Sequence, residues 1–222
     1  LLQKVRALPG IKKVFVRSGI RYDYLLADKN DRFLDELCRY HVSGQLKVAP
    51  EHVAEHALAN MGKPGKEVYL KFMRAFNKKN KEIGLKQFLV PYFISSHPGC
   101  TLRDAVELSE FLRDIGHQPE QVQDFIPTPG SASTAMYYSG INPETGKKVF
   151  VARNPHDKAM QRALMQYKNP KNRQLVKEAL QKTNRGDLIG DNAGCLLKIA
   201  ASYNPKARHS KNTANPKMNK RR

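Results

Sequence analysis

The feature that most constrains this chain is a repeated change of hydrophobic period between residues 12 and 126. Four short β-branched or aromatic runs, Lys12–Val16, Gln45–Ala49, Lys86–Ile94 and Gln121–Ile126, each end at turn residues and read as strands. Between them the apolar residues fall at helical spacing: Phe33, Leu34, Leu37 and Tyr40, then Tyr69, Phe72, Met73, Phe76 and Ile83, then Ala105, Leu108, Leu112 and Ile115. The last of these helices opens on Thr101 with Asp104 three residues later, close to a capping box, and stops at Gly116. Strands joined through helices are joined by crossovers, so the sheet is parallel and the class is α/β.

Parallel sheets carry their chemistry at the carboxyl ends of the strands. Here those ends read Arg17-Ser18-Gly19-Ile20-Arg21, Pro50-Glu51-His52, Ser95-Ser96-His97-Pro98-Gly99-Cys100-Thr101 and Pro127-Thr128-Pro129-Gly130-Ser131. All four combine polar groups with Gly or Pro, which points to one ligand-binding rim. Four strands do not close a barrel, which takes about eight. The opening Leu1–Gly10 reads as the end of a helix leading into a strand, and the first residue is Leu rather than Met. The expectation is a truncated amino-terminal half.

Lys+Arg number 39 against 20 Asp+Glu, a net charge of +19, which makes a polyanionic partner worth testing. Seven of those cations lie in residues 203–222, which hold no acid and hardly any large apolar side chain, so this segment reads as a disordered basic tail. It is either a nucleic-acid-binding arm or a solvated end. The three cysteines, Cys38, Cys100 and Cys195, lie far apart without a C-x-x-C pair, so neither a disulfide framework nor a cysteine-only metal site fits. A reducing compartment, the cytoplasm, is the expected location; no apolar run reaches the length of a membrane span and no signal segment opens the chain.

Beyond Gly140 two helical stripes, Ala159–Tyr167 and Leu175–Leu180, flank Lys168-Asn169-Pro170 and predict a helical hairpin, followed by a turn at Gly186–Gly190. The expected domains are residues 1–140, a helical extension over 141–202 and the tail 203–222. Two local motifs compete with the rim. His52-Val53-Ala54-Glu55-His56 matches the H-x-x-E-H zinc signature, but Pro50 precedes it and no third acidic ligand follows on a strong helix. Ser95-Ser96-His97 lacks the G-x-S-x-G elbow of a serine nucleophile.

The succession SGIRYD, LKVAPEHVAEHALANMGKPGKEVYLKF, YFISSHPGCT and QVQDFIPTPGSASTAMYYSG resembles the carboxyl-terminal half of the YgiQ-type radical SAM proteins, from about residue 10 to about residue 200. The parts also look like the methylthiotransferase branch of radical SAM barrels. The resemblance implies the carboxyl-terminal part of a TIM-like (β/α) barrel. It implies too that the parent protein binds S-adenosylmethionine and a [4Fe–4S] cluster and cleaves the former reductively. Ser18 and Glu51 would then meet ribose hydroxyls, Arg21 or Lys63 the methionine carboxylate, and the backbone at His97 and Ile126 the adenine edge. Two simpler readings stand beside these: Arg21 and Asp23 form a loop-closing ion pair, and Lys63-Pro64-Gly65 is a helix stop. The cluster loop C-x-x-x-C-x-x-C is missing, so this chain by itself is expected to bind no metal and no stable cofactor, and to be inactive. The alternative function is a basic α/β module that binds nucleic acid without catalysis; the substrate and the oligomeric state stay open.

If the tail contacts phosphates, deleting residues 203–222 lowers the slope of log affinity against log salt by about 0.7–0.9 per lost contact. Fluorescence anisotropy with labelled RNA across a salt series checks this. Equal slopes with and without the tail identify a solvated end.

Overall fold

The computed structural model describes residues 1–28 and 31–199; the basic tail predicted over 203–222 lies outside them. In chain order the elements are α1 (Leu2–Arg6), α2 (Tyr22–Leu26), α3 (Arg32–Glu36) running into a π turn over Leu37–His41, β1 (Gln45–Glu51), α4 (Glu55–Met61), α5 (Lys66–Ile83), β2 (Phe88–Ser95), α6 (Leu102–Asp114), β3 (Gln123–Asp124), α7 (Ala132–Ser139), α8 (Pro155–Met165) and α9 (Arg173–Lys182). The three strands form one parallel sheet in the order β1-β2-β3. The class is α/β, as the alternating period requires.

Two of the four expected strands differ from expectation. Residues 12–16 join no ladder, because the chain turn at His41 takes their hydrogen bonds: Val16 N–H donates to the His41 carbonyl (2.9 Å) and the His41 ring Nδ1–H to the Val14 carbonyl (2.8 Å). Pairing with β1 begins only at Ile20, in a single parallel bridge to Val48. The run at 121–126 shortens to β3, continued by one bond from Phe125 N–H to the Ser95 carbonyl (2.8 Å). Pro119 and Pro127 flank it and donate no ladder bond, and the Gln166 amide takes the Pro119 and Glu120 carbonyls instead (3.1 and 2.8 Å).

Burial alternates along β1, where Leu46, Val48 and Pro50 are buried and Gln45 and Lys47 exposed. The register places Val48 beside Pro91 and Lys47 beside Val90, so β2 continues the same two faces. On one face Leu46 and Val48 pack with Tyr22, Leu34, Leu37, Tyr69, Phe72 and Phe76, while Phe93 packs with Val53, Leu108, Leu112 and Met165. The long α5 earns its place there through Tyr69, Phe72 and Phe76, which recur every three to four residues. Among the described residues no helix covers the opposite face. Phe88 is 65% and Tyr92 49% exposed, and Lys47 Nζ sits 5.7 Å from the centroid of the Tyr92 ring.

A second core joins α6 to the predicted hairpin: Val106, Met160, Leu164, Val176, Leu180 and Leu197 are all buried together. The capping box at Thr101 is present in full, with the Asp104 carboxylate accepting from Thr101 N–H (2.7 Å) and the Thr101 hydroxyl accepting from Asp104 N–H (3.3 Å). Gly116 follows the helix at φ 66°, the left-handed position a helix stop requires. The turn predicted at 186–190 begins with a short 3-10 helix, Gly186–Leu188.

All-parallel sheets normally have both faces covered. The isolated chain is therefore expected to self-associate through the open face. Light scattering across a concentration series should show growth in mass that Phe88→Lys with Tyr92→Lys suppresses. A monomer at every concentration would contradict this.

Candidate functional site

The carboxyl ends of β1 and β2 are both bent by a non-glycine residue in the left-handed region. Glu51 has φ 64° and Ser96 φ 60°, conformations that cost on the order of 1–3 kcal/mol and persist only where the surroundings impose them. At Glu51 a bulge shifts the β1–β2 register after Val48, and His52 N–H donates back to the Pro50 carbonyl (2.8 Å) in a three-residue turn. This turn brings the Glu51 carboxylate to Lys63, just beyond α4, with Oε1 2.7 Å from Nζ.

The loop after β2 is held from several sides. Gln161 of α8, 1% exposed, accepts from Ser96 N–H (3.1 Å) and donates to the Cys100 carbonyl (3.2 Å). Gly99 N–H donates to the Phe150 carbonyl (2.7 Å). Gly99 is needed on two counts: its φ is 87°, and a Cβ there would lie 2.6 Å from Asn60 Nδ2. Asn60 is in turn held by the Asn142 side chain (3.2 Å).

Two histidines in this loop system have tautomers fixed by their partners. His52 Nδ1 accepts from Ala54 N–H (3.0 Å), so Nε2–H donates to Cys100 Sγ (3.3 Å), whose own S–H points to the Thr101 carbonyl (3.7 Å). Burial holds His52 neutral, bringing its pKa down to about 4, with the Asp104 charge opposing and His97 adding to the drop. Burial also pushes the Cys100 thiol up, so this pair is neutral rather than thiolate and imidazolium. His97 has the reverse arrangement. Nδ1–H donates to the Pro98 carbonyl (2.7 Å) and Nε2 accepts from the Ser133 hydroxyl (2.8 Å). Burial lowers the His97 pKa, while the Pro98 bond and the Glu51 charge oppose the shift. The ring meets Phe125 edge-on at 4.9 Å.

Of the six residues predicted for the rim, Glu51 and Lys63 are thus in direct contact, and His97 is close enough to feel the Glu51 charge. Arg21 is held in a two-bond pair by Asp23 (2.9 and 2.6 Å) and lies over the Tyr24 ring at 4.2 Å. This is the loop-closing ion pair, and it raises the Arg21 pKa and lowers that of Asp23. Ser18 and Ile126 are exposed and make no hydrogen bond or ion pair to Glu51, Lys63 or His97. No sequence pattern singles out Ser133 or Gln161, which hold this loop. The Ser131-x-x-Thr134 cap of α7 signals a helix start there, yet no spacing rule pairs Ser133 with His97 across 36 residues.

The zinc signature dissolves in the fold. The helix starts at Glu55, so His52 and His56 do not share a helix face; His52 is buried against Cys100 while His56 is exposed, 3.5 Å from Asp104. Among the described residues no three His, Cys, Asp or Glu side chains are grouped to hold a metal. The Ser95 and Ser96 hydroxyls meet each other at 3.1 Å, and His97 pairs with neither. No helix among the described residues is long and apolar enough to cross a membrane.

Comparison with known proteins gives two results. The profile of a domain of unknown function, DUF3362, matches residues 120–221. A UPF0313 protein of Clostridium perfringens (strain 13 / Type A) is 54% identical over 220 residues, which is 99% of this chain and 33% of that protein. Another from Clostridium botulinum (strain 657 / Type Ba4) is 56% identical over 197 residues, covering 89% of this chain and 31% of the relative. The chain spans about a third of the length of the curated relatives it matches.

The His52 tautomer carries a pH dependence. Its folded pKa near 4 lies below the ordinary value of 6.5, so the unfolded chain takes up the proton first as the pH falls. Stability is intact above about pH 6.5 and declines between 6.5 and 4, by up to about 3 kcal/mol from this residue. Urea melts at pH 7 and pH 5 should show the loss, and His52→Gln should reduce the difference between the two pH values. An unchanged difference would mean that His52 is not the sensing group.

Proposed function

Because the close homologues of this chain are UPF0313 proteins, the YgiQ-type family, we propose that it forms the carboxyl-terminal part of a radical SAM barrel. Within the whole protein it would provide part of the surface that binds S-adenosylmethionine. The observation that carries this reading is the sheet itself. It is parallel, the described helices cover one face only, and Glu51, Lys63 and His97 gather at its carboxyl end. A barrel interior needs such an open face, and a barrel's ligand site needs such a rim. The rest of the barrel would come from the two thirds of the relatives that this chain does not span.

The residues present fit an adenosyl ligand in part. Glu51 is a half-buried acceptor, oriented by Lys63, suited to a pair of vicinal hydroxyls. Lys63 can meet a carboxylate as well, because one ammonium has three donors. His97 is neutral and firmly oriented, and its Nε2 takes a proton only when Ser133 turns its hydroxyl away. Arg21 is already committed to Asp23, so Lys63 is the better candidate for the methionine carboxylate. In radical SAM chemistry an electron from a [4Fe–4S] cluster breaks a carbon–sulfur bond of S-adenosylmethionine and yields a hydrogen-abstracting radical.

The residues do not fit the cluster. Cys38, Cys100 and Cys195 are buried in separate parts of the molecule. Burial pushes the Cys38 thiol up to about 12 and raises that of Cys100, whereas cluster ligands are thiolates. No step is assigned to a cluster on this chain.

Anaerobic reconstitution of the 222-residue chain should leave it without stoichiometric iron; about four irons per chain would overturn the assignment. In a whole protein that contains this chain, Glu51→Gln should weaken S-adenosylmethionine binding about tenfold by calorimetry, the loss expected for one charged hydrogen-bond partner. Unchanged affinity would remove Glu51 from the site.

A further inference from the structure

A groove of about 430 Å³ lies at the other end of the sheet, where the chain enters β1 and β2. Among the described residues five cations line it, Arg6, Lys12, Lys13, Arg39 and Lys86, and no carboxylate does. Arg6 and Arg39 are paired from behind by Glu36 (3.3 Å) and Asp35 (2.7 Å). Lys12, Lys13 and Lys86 are in no ion pair among the described residues. Two rings stand open beside these charges, Tyr40 at 45% and Phe15 at 42% exposure. The Arg6 guanidinium stacks on Tyr40 at 3.6 Å from the ring centroid, and Lys13 Nζ lies 5.9 Å from that of Phe15.

Unpaired lysines crowded in a concave surface repel one another, and a bound polyanion relieves that cost. Exposed rings next to cations add something that simple charge does not need, a flat apolar surface for a nucleobase. The geometry points to a binding site for single-stranded nucleic acid in this groove. Lys12, Lys13 and Lys86 take the backbone phosphates, and Phe15 and the Arg6–Tyr40 stack take bases. The site is at the amino ends of the strands, opposite Glu51 and His97, so it stands or falls separately from the adenosyl site. None of the lining residues named here belongs to residues 203–222.

The test uses the 222-residue chain and a fluorescein-labelled 12-residue oligouridylate, read by anisotropy between 50 and 300 mM salt, with inorganic polyphosphate and phosphatidylserine vesicles as alternative probes. Lys12→Gln/Lys13→Gln/Lys86→Gln should lower the salt slope by about 2, at about 0.7 per lost phosphate contact, and weaken binding more than tenfold at 100 mM. Phe15→Ala and Tyr40→Ala should each cost about fivefold or more for the oligonucleotide and leave polyphosphate binding unchanged. All three lysines are exposed, so the triple variant should melt as the parent does by circular dichroism. Cross-linking with a 4-thiouridine oligomer gives a readout that needs no variant, and adducts should map to peptides containing Phe15, Tyr40 or Lys86. Four results would overturn the proposal: unchanged affinity in the triple variant, equal sensitivity of oligonucleotide and polyphosphate to every variant, vesicles bound in preference to the oligonucleotide, or adducts confined to residues 203–222.

Discussion

The parallel ladder between β1 and β2 is the constraint on which the rest depends. Two adjacent parallel strands cannot be joined by a hairpin, so the chain must leave one, travel along the outside and return to the same end. Here α4 and α5 make that return, and α6 makes the next. Each crossover places apolar side chains on one face, which explains why Tyr69, Phe72 and Phe76 meet Leu46 and Val48 while Lys47 and Tyr92 remain without cover. The same ladder sets both strand ends side by side, so the bends at Glu51 and Ser96 fall on one rim.

The rim is then stiffened from outside the sheet. Gln161 reaches in from α8 and holds two backbone groups of the loop after β2, and α8 is itself anchored in the second core by Met160 and Leu164. The hairpin is therefore more than an appendage, since it fixes the position of His97. Gln161 is thus where the hairpin contacts the strand end that carries the candidate site.

The longer helices α5, α6, α8 and α9 were legible because their information is local, whereas the short α2 and α7 fall in segments that read as strand-end loops. Thr101 and Asp104 are three residues apart, Gly116 ends the stripe they begin, and the structure keeps all three roles. Strands 45–49 and 86–94 were legible for the same reason. The run at 12–16 was not, because its alternation fits a strand while its hydrogen bonds go to His41, 25 residues beyond Val16, a competition no local pattern encodes. The proline-flanked run at 121–126 carried its own warning. Within the candidate site, the Glu51–Lys63 contact lies among the residues singled out at the strand ends. The His97–Ser133 and His52–Cys100 pairs join residues 36 and 48 apart, and only the folded chain brings them together.

The three cysteines divide the molecule among themselves. Cys38 is sealed in the core beneath β1, Cys100 behind the strand-end rim, and Cys195 beside Gly190 in the turn that closes the second core. Cys38 and Cys100 are 0% and 1% exposed while Cys195 is 9% exposed and lines a surface groove, so the modification rates of the first two count the openings of their own regions. The chain thus holds two internal clocks. They can tell whether the sheet and the rim breathe together or apart, with no label added.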